Sequence, residues 1–267
     1  MKLFAIFGNP VSHSLSPRMH NLAFEELGIQ GAYIRYTLED GTTLRDRFEA
    51  LGLSGANITV PHKEVALQAC DEIRGIAKDI RAINTIIKED KKLIGYNTDA
   101  PGFLRALKNF TTPKSVLIIG AGGTARALSF ALKSIAITPH LLNRSKGRLE
   151  SFINQGFECF TPEDFSPRGY DLIINTTSAG LKDDSFPTDE KLLETLFSQA
   201  KSAMDVVYGQ NTPFLQKAKS AGLEVQDGKA MLLNQGVIAF NLFHGNSLNE
   251  EKIEASMQRA LTLSSSN

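Results

Sequence analysis

The order of hydrophobic and polar positions along the first hundred residues alternates between two periods. Short apolar runs of strand length are followed by stretches whose apolar residues recur every three to four positions, the spacing of an amphipathic helix. This alternation is typical of βαβ units and predicts a mostly parallel sheet. The predicted strands are residues 2–7, 32–38 and 56–60; the helices are 17–27, with Ser16 as N-cap, 43–51 and a stretch after Pro61; residues 84–88 and 92–96 form a hairpin.

The second half repeats the alternation and predicts a doubly wound sheet. Its strands are residues 116–119, 140–142, 172–175 and 203–206. Two helical segments follow, and the first is predicted to be buried because it has no charge after Lys229. At ~150 residues per domain, a 267-residue chain suggests two domains. We predict an α/β protein with an N-terminal α/β domain at 1–100, on which the helices of 236–267 pack back, and a Rossmann-like domain at 101–235.

Glycines directly after the strand at 116–119 point to a nucleotide site. Residues 120–125 fit the pattern G-x-G-x-x-A between a strand and an amphipathic helix. In such turns the first glycine permits the bend, the second lets the backbone approach a pyrophosphate, and free N–H groups at the helix start attract the anion. A glycine turn without a ligand is the alternative. The position between strand and helix favours dinucleotide binding by Gly120, Gly122, Gly123, Thr124 and Ala125.

The residues about 20 positions further on predict which dinucleotide is bound. NAD-binding folds usually carry an acid there, which accepts a hydrogen bond from the ribose 2′-hydroxyl. This chain has Asn143, Arg144 and Ser145, followed by Lys146 and Arg148. A guanidinium pairs with the 2′-phosphate that an acid would repel. The alternative is that these basic residues are merely solvated at the start of a helix. That alternative is less favoured, because cations at a helix N-terminus oppose the helix dipole. NADP is therefore the predicted cofactor.

Four polar motifs in the first domain are predicted to lie at strand ends or in the loops after them. Ligands of open α/β sheets bind there, so these uncharged hydroxyls and amides predict a small polyhydroxylated substrate. Lys63 and Asp99 are the acid–base candidates. Taken singly, each motif could also serve only to form a turn or to cap a helix. Lys63 could likewise be an ordinary surface lysine at the start of a helix. The motifs are residues 12–17 (SHSLSP), 57–63 (NITVPHK), 82–85 (AINT) and 97–99 (NTD).

Composition and charge exclude several classes of protein. Because 29 Lys and Arg balance 29 Asp and Glu, the charge that attracts nucleic acid or anionic membranes is missing. No apolar run is long enough for a membrane helix, and residues 3–7 are too few for an export signal. Cys70 and Cys159 form no CxxC pair, and the five histidines have no metal-ligand spacing. We predict a cytoplasmic protein with no metal, nucleic-acid or membrane partner.

The chain resembles the shikimate dehydrogenase family over nearly its whole length, from residues 7–10 (FGNP) to residues 227–228 (DG) and Gln235. The serine-rich motif and the Asn-x-Thr-x-Pro-x-Lys motif carry the resemblance most specifically. It implies NADPH-dependent reduction of 3-dehydroshikimate in aromatic amino-acid biosynthesis, with Lys63 and Asp99 as the catalytic pair. It also implies that Ser14, Ser16 and Tyr208 hold the substrate carboxylate, that Thr59, Asn84 and Gln235 bind ring hydroxyls, that Asn57 shapes the site, and that Thr176 and Ser178 lie near the nicotinamide.

Three positions depart from the family pattern. Arg81 stands where glycine is usual, and the segment from Tyr208 is one residue shorter and lacks the common proline. Lys229 and Ala230 replace an apolar residue and a glycine. Arg81 affects the expected backbone conformation near Asn84. The shorter segment affects the expected orientation of the Tyr208 side chain.

Two other functions stay open at this stage. A quinate or broad quinate/shikimate dehydrogenase would differ in how the pocket treats one more hydroxyl, and Arg144 argues against an NAD-dependent form. A non-catalytic binding protein that responds to a dinucleotide would keep the fold, but the retention of Lys63 and Asp99 argues against it. The small-molecule substrate is expected to be bound by a monomer or a homodimer.

Overall fold

The computed structural model describes residues 1–263, and the chain divides into two compact units. The first contains Met1–Gly102 and the segment that begins at Leu232, and the second contains Phe103–Met231. The elements are β1 (Lys2–Gly8), α1 (Ser16–Glu26), β2 (Gly31–Thr37), α2 (Leu44–Ala50), β3 (Gly55–Ile58), β4 (Glu72–Ile73), α3 (Ala77–Ile80), β5 (Thr85–Glu89), β6 (Lys92–Tyr96), α4 (Asp99–Leu107), β7 (Val116–Ile119), α5 (Gly123–Ser134), β8 (His140–Leu142), α6 (Lys146–Ile153), β9 (Glu158–Phe160), β10 (Leu172–Asn175), α7 (Glu190–Phe197), β11 (Ser202–Asp205), α8 (Pro213–Ser220), β12 (Glu224–Gln226), α9 (Lys229–Phe243) and α10 (Glu250–Thr262), with 3-10 turns at Gly41–Thr43 and Val65–Ala69.

The first unit is built on a six-stranded sheet in the order β2-β1-β3-β5-β6-β4. Strand β1 pairs in parallel with β2 and β3, whereas β5 runs antiparallel to both β3 and β6. The predicted hairpin at 84–88 and 92–96 is confirmed as β5 and β6. Helix α10 packs against α1. The buried side chains Phe7, Phe48 and Ile58 belong to the core beside this sheet.

Two local predictions for this unit are wrong. Ser16 does not cap α1 but is its first residue, because the hydroxyl of Ser14 accepts the Ser16 N–H at 3.3 Å and Leu15 takes the N-cap position. The helical stretch predicted after Pro61 is split by a short strand. There the backbone N–H groups of Asp71 and Arg74 donate to carbonyls of β6, and these sheet bonds replace a helical ladder.

The second unit is a parallel sheet of six strands in the order β12-β11-β10-β7-β8-β9. Numbered within the unit, this is the order 3-2-1-4-5-6 of dinucleotide-binding sheets. The predicted α/β class and the two mainly parallel sheets are confirmed. The sequence reading missed β9 and β12, since both are three-residue edge strands that begin with glutamate and lack an apolar run.

The two C-terminal helices follow the predicted pattern. Most side chains of α9 are buried, including Val237, Ala239 and Phe240, as expected from its uncharged sequence. None of the helices in residues 1–263 combines the length and the apolar character that a membrane crossing would need.

Candidate active site

The predicted polar motifs of the first unit meet at one edge of its sheet. Asn57 lies in β3, and Asp99 begins α4 after a two-residue link from the end of β6. Asn84 precedes β5 instead of following a strand, which corrects the prediction that every motif lies at or after a strand end. Because β5 runs antiparallel to its neighbours, its beginning lies beside the carboxyl ends of β3 and β6. The change of strand direction therefore brings Asn84 to the same edge.

Lys63 and Asp99 form an ion pair at this edge. The Lys63 Nζ donates to Asp99 Oδ2 at 2.7 Å, and the two side chains are only 11% and 8% exposed. Lys63 lies before the 3-10 turn Val65–Ala69, and its carbonyl accepts the Ile83 N–H at 2.7 Å. A lysine so enclosed, with a carboxylate in contact, is unlike the solvated surface lysine that the motif alone also allowed. The arrangement places a lysine amine where it can give a proton as the ammonium or take one as the neutral amine.

The Asn84 side chain links this ion pair to the backbone. Its Oδ1 accepts the Thr98 N–H at 2.7 Å, and its Nδ2 donates to Asp99 Oδ1 at 2.9 Å. The backbone donor fixes which end of the amide faces Thr98, because an N–H can only be received by the oxygen. The carboxylate of Asp99 is therefore held at both oxygens, by Asn84 on one side and Lys63 on the other.

Ser14 and Ser16 lie at the start of α1 and are 3% and 4% exposed. The guanidinium of Arg35, on β2, donates to the Ser14 carbonyl through Nε at 3.1 Å and Nη2 at 2.7 Å. It fixes the serine loop and adds positive charge beside it, which favours an anion. Sequence reasoning missed Arg35; the only sign was a cation within an otherwise uncharged strand.

Gln235 and Thr59 complete the predicted substrate residues of the first unit. Gln235 lies on α9, and its Oε1 is 3.5 Å from the Thr98 hydroxyl, which brings it to the Asn84 cluster. This closeness depends on Gly102, since a Cβ there would lie 2.7 Å from the Gln235 backbone nitrogen. Thr59 follows β3 and is half-buried. A glycine inside a helix can indicate a close contact with another helix, and Gly102 in α4 is the one feature of the sequence that could have predicted this contact.

The glycine turn after β7 has the form that a pyrophosphate requires. Gly120 has φ +117°, and a Cβ there would lie 2.5 Å from Thr176 Oγ1. Gly122 is the N-cap of α5 and has no side chain to cap the helix, and no atom would lie within 4 Å of its added Cβ. Ala125, in the first turn of α5, is fully buried. Open space at the start of a helix, with N–H groups directed into it, fits a dinucleotide phosphate.

The residues after β8 present positive charge to solvent. Arg144, Lys146 and Arg148 are all exposed, and within residues 1–263 their side chains form no hydrogen bond or ion pair. Asn143 donates from Nδ2 to the Ser145 carbonyl at 3.0 Å and so shapes this loop. Cations without a protein partner at the first turn of α6 fit a phosphate ligand better than a structural role.

A buried carboxylate in the second unit, Asp205, was not found by sequence reasoning. It accepts from the Thr212 hydroxyl at 2.7 Å, the Val207 N–H at 3.0 Å and Asn175 Nδ2 at 3.1 Å. Burial raises the pKa of Asp205, and these three donors act in the opposite direction. Asp205 thereby ties the loop that carries Thr176 and the exposed Ser178 to the segment before Tyr208, which is half-buried.

Two of the departures from the family pattern have simple local structures. Arg81 adopts φ +54° at the end of α3, the left-handed conformation in which glycine is favoured. Lys229 is exposed, with Nζ 3.6 Å from Asp227 Oδ2. Cys70 and Cys159 are free thiols, and within residues 1–263 no three His, Cys, Asp or Glu side chains are grouped as metal ligands.

A sheet of this strand order, with an open glycine turn and exposed cations after the next strand, is typical of the dinucleotide-binding domains of NAD(P)-dependent oxidoreductases. Comparison with known proteins gives the family. A family model described as the shikimate dehydrogenase substrate binding domain matches residues 6–86. The shikimate dehydrogenase (NADP(+)) of Helicobacter hepaticus is 49% identical over 253 residues, 94% of this chain and 94% of that protein. The chain belongs to the shikimate dehydrogenase family.

Solved structures agree with this assignment. The shikimate 5-dehydrogenase of Thermus thermophilus, in complex with NADP(H) and shikimate, is 36% identical with a TM-score of 0.84, covering 97% of this chain and 100% of that one. A ligand-free 5-ketofructose reductase of a Gluconobacter species is 29% identical with a TM-score of 0.76, covering 97% and 98%. The same fold therefore occurs in a protein named for another ketone.

Proposed function

We propose that this protein is an NADP-dependent shikimate dehydrogenase, which reduces 3-dehydroshikimate to shikimate reversibly in aromatic amino-acid biosynthesis. The observation that carries the proposal is the enclosed Lys63–Asp99 ion pair, 2.7 Å long, in a cluster of buried hydroxyl and amide groups. Family membership and the 49% identity to a relative of that name support it. An acid–base pair among neutral hydrogen-bonding groups suits a polyhydroxylated ketone.

The proton step belongs to Lys63. NADPH, when bound, would supply the hydride for the carbonyl carbon of a ketone, and the carbonyl oxygen must then receive a proton. The Lys63 ammonium donates that proton, and in the reverse direction the neutral amine takes it from the hydroxyl. Asp99 holds the Lys63 amine and orients the reacting hydroxyl. Asn84 in turn keeps the Asp99 carboxylate from rotating.

The remaining predicted residues divide between substrate and cofactor. Buried hydroxyls at Ser14 and Ser16, with the Arg35 guanidinium bonded to the same loop, support binding of the substrate carboxylate. Thr59, Asn84 and Gln235 are proposed to bind ring hydroxyls. The cofactor is proposed to bind through Gly120, Gly122, Gly123, Thr124 and Ala125 at the pyrophosphate, Asn143, Arg144, Ser145 and Arg148 at the 2′-phosphate, and Thr176 and Ser178 near the nicotinamide. The role of Tyr208, the cytoplasmic location and the monomeric or dimeric state stay predictions.

The experiment is a spectrophotometric assay of NADPH with purified protein. Shikimate and quinate are each offered with NADP and NAD, and 5-ketofructose is offered with NADPH. We expect shikimate with NADP to give the highest kcat/KM. Lys63→Ala should lower kcat by roughly 10²–10⁴-fold with little change in KM, because proton transfer acts in the transition state. Lys78→Ala removes an exposed lysine of the same unit and is the matched control.

Each other outcome replaces the proposal with a definite alternative. Equal kcat/KM for quinate and shikimate would mean a dehydrogenase of broader specificity, and turnover of 5-ketofructose alone would mean a different ketone reductase. Binding of NADP without turnover of any substrate would mean a dinucleotide-responsive binding protein. A Lys63→Ala variant with the kcat of Lys78→Ala would remove Lys63 from the proton step.

A further inference from the structure

A buried hydrogen-bond chain lies behind the proposed catalytic pair and begins at Tyr33. This tyrosine is on β2 and is 2% exposed. Its hydroxyl lies 2.6 Å from Asn57 Oδ1. The His20 ring stacks on the tyrosine ring, with 4.2 Å between ring centroids and 15° between ring planes. The tyrosine ring is thus held in one plane, and its hydroxyl is directed towards Asn57.

The chain continues from Asn57 to the catalytic pair without a gap. Asn57 Nδ2 donates to Thr85 Oγ1 at 3.0 Å, and the Thr85 hydroxyl donates to Asn84 Oδ1 at 3.0 Å. Asn84 Nδ2 then donates to Asp99 Oδ1 at 2.9 Å, and Asp99 Oδ2 accepts from Lys63. All the members from Tyr33 to Asp99 are buried.

Backbone groups fix the direction of this chain at two points. Asn57 Nδ2 also donates to the Asn84 carbonyl at 3.2 Å, so the amide nitrogen faces that side and Oδ1 faces Tyr33. The Tyr33 hydroxyl must therefore donate. Asn84 Oδ1 accepts the Thr98 N–H, which leaves its nitrogen for Asp99. The Thr85 hydroxyl accepts from Asn57 and donates to Asn84 Oδ1 at 3.0 Å, with the Thr98 hydroxyl 3.2 Å away as a second neighbour.

We propose that Tyr33 is a positioning residue for the reaction: its hydroxyl begins a one-way hydrogen-bond relay that holds the Asp99 carboxylate against Lys63. The inference rests on the proposed roles of Lys63 and Asp99. Hydrogen bonds aligned in one direction polarise and strengthen one another. Without the tyrosine proton, Asn57 Oδ1 is a buried acceptor with one donor fewer, and its amide turns or shifts. The shift passes through Thr85 and Asn84 to Asp99.

Tyr33→Phe removes only the hydroxyl, and Tyr36→Phe is its control. Tyr36 is on the same strand and half-buried, and its hydroxyl makes no hydrogen bond within residues 1–263. We expect Tyr33→Phe to lower kcat by roughly tenfold to a hundredfold, the loss that a misplacement of about 1 Å produces. The KM for NADP should stay within about twofold. Tyr36→Phe should keep the parent kcat.

A second pair of variants interrupts the relay in its middle. Thr85→Val keeps the shape of the side chain and removes the hydroxyl, whereas Thr85→Ser keeps the hydroxyl. We expect the valine variant to lose kcat as Tyr33→Phe does, and the serine variant to recover most of that loss. In a serial relay the Tyr33→Phe/Thr85→Val double variant should be much less impaired than the product of the single losses.

A measurement without turnover separates this inference from the proposed function. The rate at which an amine reagent labels Lys63, followed by mass spectrometry, should rise in Tyr33→Phe and not in Tyr36→Phe, because a loosened Asp99 frees the lysine amine. Equal labelling rates in the two variants, or a valine variant as active as the serine one, would overturn the relay. Absence of shikimate turnover by the parent protein would overturn the proposed function instead, whatever the labelling rates are. Should Tyr33→Phe not fold, the Thr85 pair decides alone.

Discussion

We predict that the buried side chain of His20 makes the stability of this protein sensitive to mild acid. It is fully buried, and within residues 1–263 neither ring nitrogen has a hydrogen-bond partner. Burial, reinforced by the nearby His244, lowers its pKa from 6.5 to about 3. The Phe240 and Tyr33 rings pack against it. The folded protein therefore cannot accept a proton on His20 at a pH where the unfolded chain accepts one readily.

The sign and the size of the effect follow from proton linkage. Below pH 6.5 the unfolded state binds one proton more than the folded state, so stability falls as the pH falls, until the folded pKa near 3 is reached. In this range, each unit by which the pH falls lowers the free energy of unfolding by about 1.4 kcal/mol. Between pH 7.5 and pH 5.0 we therefore expect a loss of about 2 kcal/mol from this side chain, a large part of a total of roughly 5–15 kcal/mol.

The measurement is urea unfolding at both pH values for the parent protein and for His20→Phe. The phenylalanine does not titrate and joins an aromatic cluster, so the variant should lose about 2 kcal/mol less than the parent on acidification. The difference between the two proteins cancels the contributions of other groups. Asp171, whose pKa is lowered to about 2 mainly by a hydrogen bond from Lys201, loses its contribution to folding stability only below pH 5.0, outside the pH range compared. Equal losses in parent and variant would refute the reasoning.

Three further predictions concern the cofactor, the substrate and the backbone. Arg144→Ala should raise KM for NADP roughly tenfold to a hundredfold and KM for NAD by less than about twofold, because only NADP has the 2′-phosphate; equal losses in steady-state kinetics would exclude it as the discriminating residue. Ser14→Ala or Ser16→Ala should weaken shikimate binding by ~1.5–3 kcal/mol in calorimetry, and a methyl ester bound as tightly as the acid would contradict a carboxylate site. Arg81→Gly should raise the urea midpoint, corresponding to about 0.5–1 kcal/mol, since glycine adopts φ +54° without strain; a lower midpoint would show that the arginine side chain itself stabilises the turn.

Local pattern was sufficient for the main elements and insufficient at their edges. The mostly apolar runs at 116–119, 140–142 and 172–175 coincide with β7, β8 and β10, because a buried parallel strand is rich in apolar residues on both faces. The edge strands β9 and β12 escaped notice, since one side of an edge strand needs no partner and its sequence can be polar. Serine is a residue type that favours the N-cap position, but Ser16 is the first residue of α1 and Leu15 is its N-cap.

By itself, the sequence determined the α/β class, the dinucleotide turn and the family, because these depend on residue types at short spacings that any one segment carries. Only the tertiary structure decided which side chains meet. Lys63 and Asp99 are 36 positions apart, and Tyr33 and Asn57 are 24 apart. Their contacts depend on strand order and on the antiparallel direction of β5, which brings Asn84 to the active edge. Strand order and direction result from packing of the whole sheet, and no local spacing encodes them.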